Sequence, residues 1–237
     1  MNWKRDCVAV IPCFNEADHI RRVVAEVQNH VSRVLVVDDG STDATAAQAA
    51  GVGAEVLQLP HNSGKGAALR HGWQRARELG FQWVMMLDGD GQHAAEEIPQ
   101  FFQLAEKTGA RLVVGNRMND TSGMPFIRRC VNRLMSRWIS NLVGKELPDS
   151  QCGFRLAHLE TLLRLPLGTN RFEIESAMLT AFFAAGKRVE FVPVRTIYEH
   201  RVSKIDPLAD TVRWLRWGIV QRPQRASLRA CSTMRVP

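Results

Sequence analysis

The sequence predicts an α/β fold, with a mostly parallel central sheet flanked by helices. Three observations predict it. Short apolar runs of strand length recur at Val8–Pro12, Val34–Val37, Trp83–Leu87 and Leu112–Val114. Between them stand segments whose apolar residues repeat at helical spacing, and the intervals suit right-handed βαβ units. Each run also ends in polar residues: Asn15-Glu16, Asp38-Asp39, Asp88 with Asp90, and Arg117. In a parallel sheet such ends share one edge, where ligands of open α/β sheets bind.

The elements follow in order. Val8 to Pro12 reads as a buried strand, then a helix with Ile20, Val23, Val24 and Val27 on one face. Val34 to Val37 is the second strand, ending at Asp38-Asp39-Gly40-Ser41. Ser41 to Asp43 offers caps for an alanine-rich helix over 44–50, and Gly51 stops it. Glu55 to Gln58 is a third strand. The turn His61-Asn62-Ser63-Gly64-Lys65-Gly66 opens a helix that runs to about Leu79. Trp83 to Leu87 is the fourth strand, Ile98 to Thr108 a helix, and Leu112 to Val114 a fifth strand. Further on, Phe126, Ile127, Val131, Leu134, Met135, Trp138, Ile139 and Leu142 recur at helical spacing, with Arg128, Arg129, Arg133 and Arg137 largely on other faces. Such a helix suits either the core or a membrane interface. Leu208 to Val220 repeats the pattern. One domain is expected over 1–220, followed by a basic, disordered tail over 221–237.

Composition narrows the partners. The 237 residues are 45% hydrophobic and 23% charged, which is globular. No apolar run approaches the roughly 18 residues of a spanning helix. The N-terminus reads as a strand, not a secretion signal. Five cysteines without Cys-x-x-Cys spacing point to a reduced, cytosolic setting. A net charge of +7 points to an anionic partner: nucleic acid, nucleotide phosphates or lipid headgroups. A non-catalytic nucleic-acid or membrane binder rests only on charge and arginine-rich helices, and the acids converge on the same edge as the bases.

The stretch Leu87-Asp88-Gly89-Asp90-Gly91-Gln92-His93 carries the chemistry. Two carboxylates at a strand tip repel unless a cation lies between them. That favours a divalent-metal site holding a phosphorylated ligand; a solvated acidic turn is the plainer alternative. An Asp-x-Asp phosphatase is a third reading, weakened by Gln92 and by the unexplained Asp38-Asp39 strand end. Ser63-Gly64-Lys65-Gly66 is no Walker A loop, and Gly51-Val52-Gly53 is no dinucleotide fingerprint.

Together, Pro12-Cys13-Phe14-Asn15-Glu16, Val36 to Asp43, Asn62 to Gly66 and Leu87 to His93 resemble family 2 glycosyltransferases. Gly115-Asn116-Arg117, Gln151-Cys152-Gly153-Phe154-Arg155, Phe172-Glu173-Ile174-Glu175 and Arg201-Val202-Ser203-Lys204 resemble the dolichyl-phosphate mannosyltransferase branch. The resemblance implies a glycosyltransferase-A, Rossmann-like fold and inverting transfer from a nucleotide sugar. It places Pro12, Asn15, Glu16 and Asp39 at the base and ribose, and Lys65 at the nucleotide side. It gives Asp88, Asp90 and Gln92 to Mg²⁺ or Mn²⁺. Arg117, Arg129, Arg201, Ser203 and Lys204 are expected to bind phosphate, the last four on the acceptor side. Asp149 is the candidate base for an alcohol acceptor. Asp38 is expected to orient its loop while Asp39 meets the ligand. The expected setting is the cytoplasmic face of a membrane, with a polyprenyl phosphate or other lipid as acceptor.

Overall fold

A computed structural model describes residues 1–171 and 173–197. The expected division at residue 220, the segment Leu208 to Val220, the basic tail and the motif from Arg201 to Lys204 lie outside the described residues.

A one-turn helix α1 (Trp3–Asp6) leads into β1 (Cys7–Cys13). Then come α2 (Ala17–Gln28), β2 (Val34–Asp38), α3 (Thr45–Ala50), β3 (Glu55–Gln58), α4 (Lys65–Glu78) and β4 (Trp83–Met86). After them follow α5 (Ile98–Thr108), β5 (Leu112–Asn116), α6 (Phe126–Val143), β6 (Arg155–His158), α7 (Leu159–Leu163), α8 (Ile174–Ala184) and β7 (Val189–Pro193). Among the described residues, seven strands form one sheet in the order β3-β2-β1-β4-β6-β5-β7. All neighbours pair in parallel except β6, which runs antiparallel to both β4 and β5.

Local chemistry accounts for the central elements. Val8 to Ile11 and Leu35 to Val37 are fully buried, as interior parallel strands flanked on both faces must be. In α2 the predicted face, Ile20, Val23, Val24 and Val27, is the buried one. Pro99 sits in the first turn of α5, where its missing N–H leaves no bond unmade, and Gly109 ends that helix in the left-handed conformation.

Two features depart from the expectation. Strands β6 and β7 were not anticipated, because neither is a simple apolar run. β6 begins on the buried Arg155, whose guanidinium donates to the carbonyls of Ser150, Cys152 and Glu175. The face of α6 also differs. Phe126, Ile127 and Leu134 are about two-thirds exposed, whereas Asn132 and Ser136 are buried with Ile139 and Leu142. The polar pair is turned inward because it bonds the loop before β6: Asn132 to Asp149, and Ser136 to Ser150.

The reversed β6 matters for position. Arg155 lies in register with Met86 of β4 and Val114 of β5. The loop entering β6, residues 149–154, therefore sits at the edge where β4 and β5 end. The segment leaving β7 arrives there too, since Asn116 is level with Pro193.

Candidate active site

The loops after β1 and β2 are bonded to each other. Asn15 takes a left-handed φ of 54°, a conformation asparagine tolerates better than most residues. Its amide donates to Ser41 Oγ at 2.9 Å, and its side-chain oxygen accepts from the Thr42 amide at 2.8 Å. The Glu16 amide donates to Thr45 Oγ1 at 2.8 Å. Asp38 accepts from the Ser41 amide at 3.0 Å. Asp39 is buried, and its two oxygens accept from the Ser63 and Gly64 amides, each at 2.8 Å. Both aspartates thus hold loops, so the expected split of roles between them is not visible in this geometry. Gly40, at φ 73°, lies so near His61 that a Cβ would stand 2.7 Å from the His61 carbonyl carbon. Only glycine fits both the angle and the space.

Asp88 follows the tip of β4. Its Oδ1 meets the Lys65 ammonium at 2.5 Å, and Lys65 also meets Glu175 Oε1 at 2.7 Å. Burial alone would raise the Asp88 pKa, but the Lys65 charge and His93 outweigh it and hold the carboxyl well below its usual range. Burial likewise opposes the Lys65 charge, and Asp88 and Glu175 more than restore it. His93 Nε2 lies 3.4 Å from Asp88 Oδ2, too long for a good hydrogen bond. Neither ring nitrogen of His93 has a hydrogen-bond partner among the described residues. Its ring packs on Phe154, centroids 5.1 Å apart. Asp90 accepts from the Gln92 amide at 3.0 Å and so shapes its own turn. Gly153 abuts the pair: a Cβ there would stand 2.7 Å from Asp88 Oδ2 and 2.9 Å from Lys65 Nζ. Pro12, Lys65, Asp88, Gly153 and Glu175 line one small cleft.

Arg117 and Asp149 form a second unit. Arg117 Nε and Nη2 reach the two Asp149 oxygens at 2.8 and 3.0 Å, a bidentate pair. The amides of Arg117 and Gln151 and the Asn132 side chain also donate to Asp149. Asp149 is fully buried. Burial would raise its pKa; Arg117 first, then the Asn132 and Gln151 donors, bring it down to about 2.

Asp88 and Asp90 suit a hard dication, which takes oxygen ligands. No group of three or more acids, histidines or cysteines that would hold a metal is assembled among the described residues.

The structure therefore brings Pro12, Lys65 and Asp88 to one cleft and sets Arg117 on Asp149. It places Arg129 elsewhere on α6, with its guanidinium 5.4 Å from the Phe126 ring centroid. Sequence reasoning missed the Lys65–Glu175 contact, the Arg155 clamp and the roles of Asn132 and Gly153. Gly153, Arg155 and Glu175 all stand in motifs read from the sequence, whereas Asn132 does not, and no motif says which partner a side chain meets.

Residues 8–164 match the family described as Glycosyl transferase family 2. The chain is 31% identical over 212 residues to glycosyltransferase AglJ of Haloferax volcanii, spanning 88% of this chain and 68% of that protein. It is 29% identical over 236 residues to an undecaprenyl-phosphate mannosyltransferase of Micrococcus luteus, spanning 91% and 95%. A solved structure of Mycobacterium tuberculosis glucosyl-3-phosphoglycerate synthase, in complex with Mn²⁺, UDP and phosphoglyceric acid, superposes with a TM-score of 0.71. It is 22% identical and is covered over 78% of its length and 93% of this one. The fold is thus of glycosyltransferase-A type, with seven strands and one of them reversed. From the matched span and these relatives, the chain belongs to glycosyl transferase family 2.

Proposed function

We propose that this enzyme moves a sugar from a nucleotide-sugar donor, GDP-mannose or a UDP-hexose, to a polyprenyl phosphate or other lipid acceptor. The transfer inverts the anomeric centre, at the cytoplasmic face of a membrane. One observation carries the reading: the loop 149–154 joins the two charged units. Its Asp149 holds Arg117, and its Gly153 abuts Asp88 and Lys65. Acids suited to a cation and an arginine suited to phosphate are thereby fixed at one sheet edge. The polyprenyl-phosphate activity named for the Micrococcus relative supports the acceptor, and the Mn²⁺ and UDP of the solved neighbour support the donor class.

In this mechanism Asp88 and Asp90, with Gln92, would hold Mg²⁺ or Mn²⁺, which would supply positive charge towards a diphosphate leaving group. Pro12, Asn15 and Glu16 face the nucleoside. Asp39 contributes by fixing the 63–64 turn, and Lys65 lies on the diphosphate side. Arg117, oriented by its bidentate pair with Asp149, is assigned to phosphate. A phosphate acceptor is largely ionised near neutral pH, its second pKa being about 6. It needs no base. Asp149 makes a poor one, since both its oxygens are occupied and its pKa is about 2. We assign it to positioning Arg117. That disfavours an alcohol acceptor activated by Asp149, and the family match sets the phosphatase reading aside.

Among the described residues no helix is long and apolar enough to cross a membrane. We assign membrane contact to α6, where Phe126, Ile127 and Leu134 are exposed beside Arg133 and Arg137. Arg129 and the undescribed Arg201, Ser203 and Lys204 are assigned to the acceptor phosphate.

The test is a transfer assay. The full chain is incubated with GDP-mannose, UDP-glucose or UDP-N-acetylglucosamine, with Mn²⁺ or Mg²⁺, and with a polyprenyl phosphate. Sugar in the organic phase together with free nucleoside diphosphate supports the reading. Transfer to a lipid alcohol but not to the phosphate would refute the acceptor assignment.

A further inference from the structure

Lys65 opens α4, and its ammonium stands between Asp88 at 2.5 Å and Glu175 at 2.7 Å. The Lys65 and Glu175 side chains are 13% and 6% exposed, so solvent screens that pair little, whereas Asp88, at 29%, is more open. An ammonium on Asp88 opposes any second cation there, and strongly so at low dielectric. A dication can take Asp88 only if the Lys65 charge is met elsewhere.

Glu175 is placed for that. Its backbone carbonyl accepts from Arg155 Nη1 at 2.6 Å, and the same guanidinium holds the Ser150 and Cys152 carbonyls. The first turn of α8 and the loop before β6 are thereby tied into one block. Gly153 of that block closes on Lys65 and Asp88, leaving no room for a methyl group. Glu175 Oε2 is buried and has no hydrogen-bond partner among the described residues, so it can accept an ammonium that shifts off Asp88. A role for Glu175 as a helix-dipole acid would need neither this burial nor this partner.

We propose that Glu175 is a positioning residue that takes up the Lys65 ammonium and so frees Asp88 for a divalent cation. The inference rests on the metal-dependent reading above.

Its test titrates Mn²⁺ alone into the full chain and follows loss of the free-ion EPR signal. Wild type is expected to take up Mn²⁺, and Asp90→Asn to lose that uptake. Glu175→Gln keeps the shape but removes the charge. Its Mn²⁺ affinity is expected to fall on the order of tenfold or more, given one unit charge removed near a dication in a partly buried site. Lys65→Met added to that variant removes the repelling charge and is expected to restore most of the affinity. Glu175→Asp keeps the charge and is expected to retain most of it. A melting transition in each variant shows that it is folded. Equal affinity in wild type and Glu175→Gln, or a loss that Lys65→Met leaves in place, overturns this inference and leaves metal-dependent transfer standing. No Mn²⁺ uptake by wild type overturns both.

Discussion

Asp149→Asn is the most informative single change, because it separates a buried structural ion pair from a catalytic base. The carboxylate is fully buried and accepts five hydrogen bonds: three from Arg117 and one each from Asn132 and Gln151. Its pKa falls from 3.8 to about 2. The folded value lies below the unfolded one, so the stabilisation is fully present above pH about 3.8 and is lost as pH falls through about 2. At neutral pH that difference is worth roughly 2 kcal/mol. The amide substitution also strands the Arg117 guanidinium, and breaking a buried pair from one side costs about 3–5 kcal/mol. Urea unfolding at pH 7 should therefore show the variant less stable by about 3 kcal/mol or more. The gap should narrow as pH is lowered from about 4 towards 2, because wild type then loses the same term. Any residual transfer should show a raised KM for the donor and an unshifted pH profile, as expected when Arg117 is misaligned. A variant within about 1 kcal/mol of wild type at every pH would refute this account of the pair. Loss of kcat with unchanged stability and a shifted pH profile would return Asp149 to the role of base.

Three further outcomes are expected. Asp90→Asn should abolish transfer while the melting temperature stays near that of wild type, since among the described residues Asp90 bonds its own turn; near-normal turnover in an end-point assay would sink the metal assignment. Gly153→Ala should lower transfer and Mn²⁺ uptake together, because its methyl would meet Asp88 Oδ2 at 2.7 Å and Lys65 Nζ at 2.9 Å. Overpacking of this kind costs about 1–3 kcal/mol, readable by denaturant unfolding. Replacing Phe126, Ile127 and Leu134 with serine should cut flotation with anionic liposomes while changing stability by less than about 0.5 kcal/mol per site, because all three are exposed. Unchanged flotation would move membrane contact away from α6.

Most of the sheet is legible in the chain because its parallel strands are buried on both faces and so read as apolar runs. The acid-tipped β4 is legible for the same reason: an apolar run that stops at Asp88 has few alternatives. Strand β6 is not legible. It has four residues and starts with an arginine, and that arginine is satisfied by the carbonyls of Ser150 and Cys152 in the loop before it and of Glu175 on another element. Hydrophobic periodicity leaves the face of α6 open between core and membrane interface, because it assumes that polar residues seek water. Here Asn132 and Ser136 seek Asp149 and Ser150 instead.

By itself the sequence determined the order of the first five strands, the edge where their polar ends gather, and the family motifs along that edge. Those depend on local periodicity and on residue type, which a linear chain carries in full. The tertiary structure alone decided which charges meet. Reversing β6 carries Asp149 and Gly153 to the shared edge, and α8 brings Glu175 to Lys65 across 110 residues. Such contacts are selected by burial and by the need of each buried charge for a partner, and no spacing along the chain encodes them.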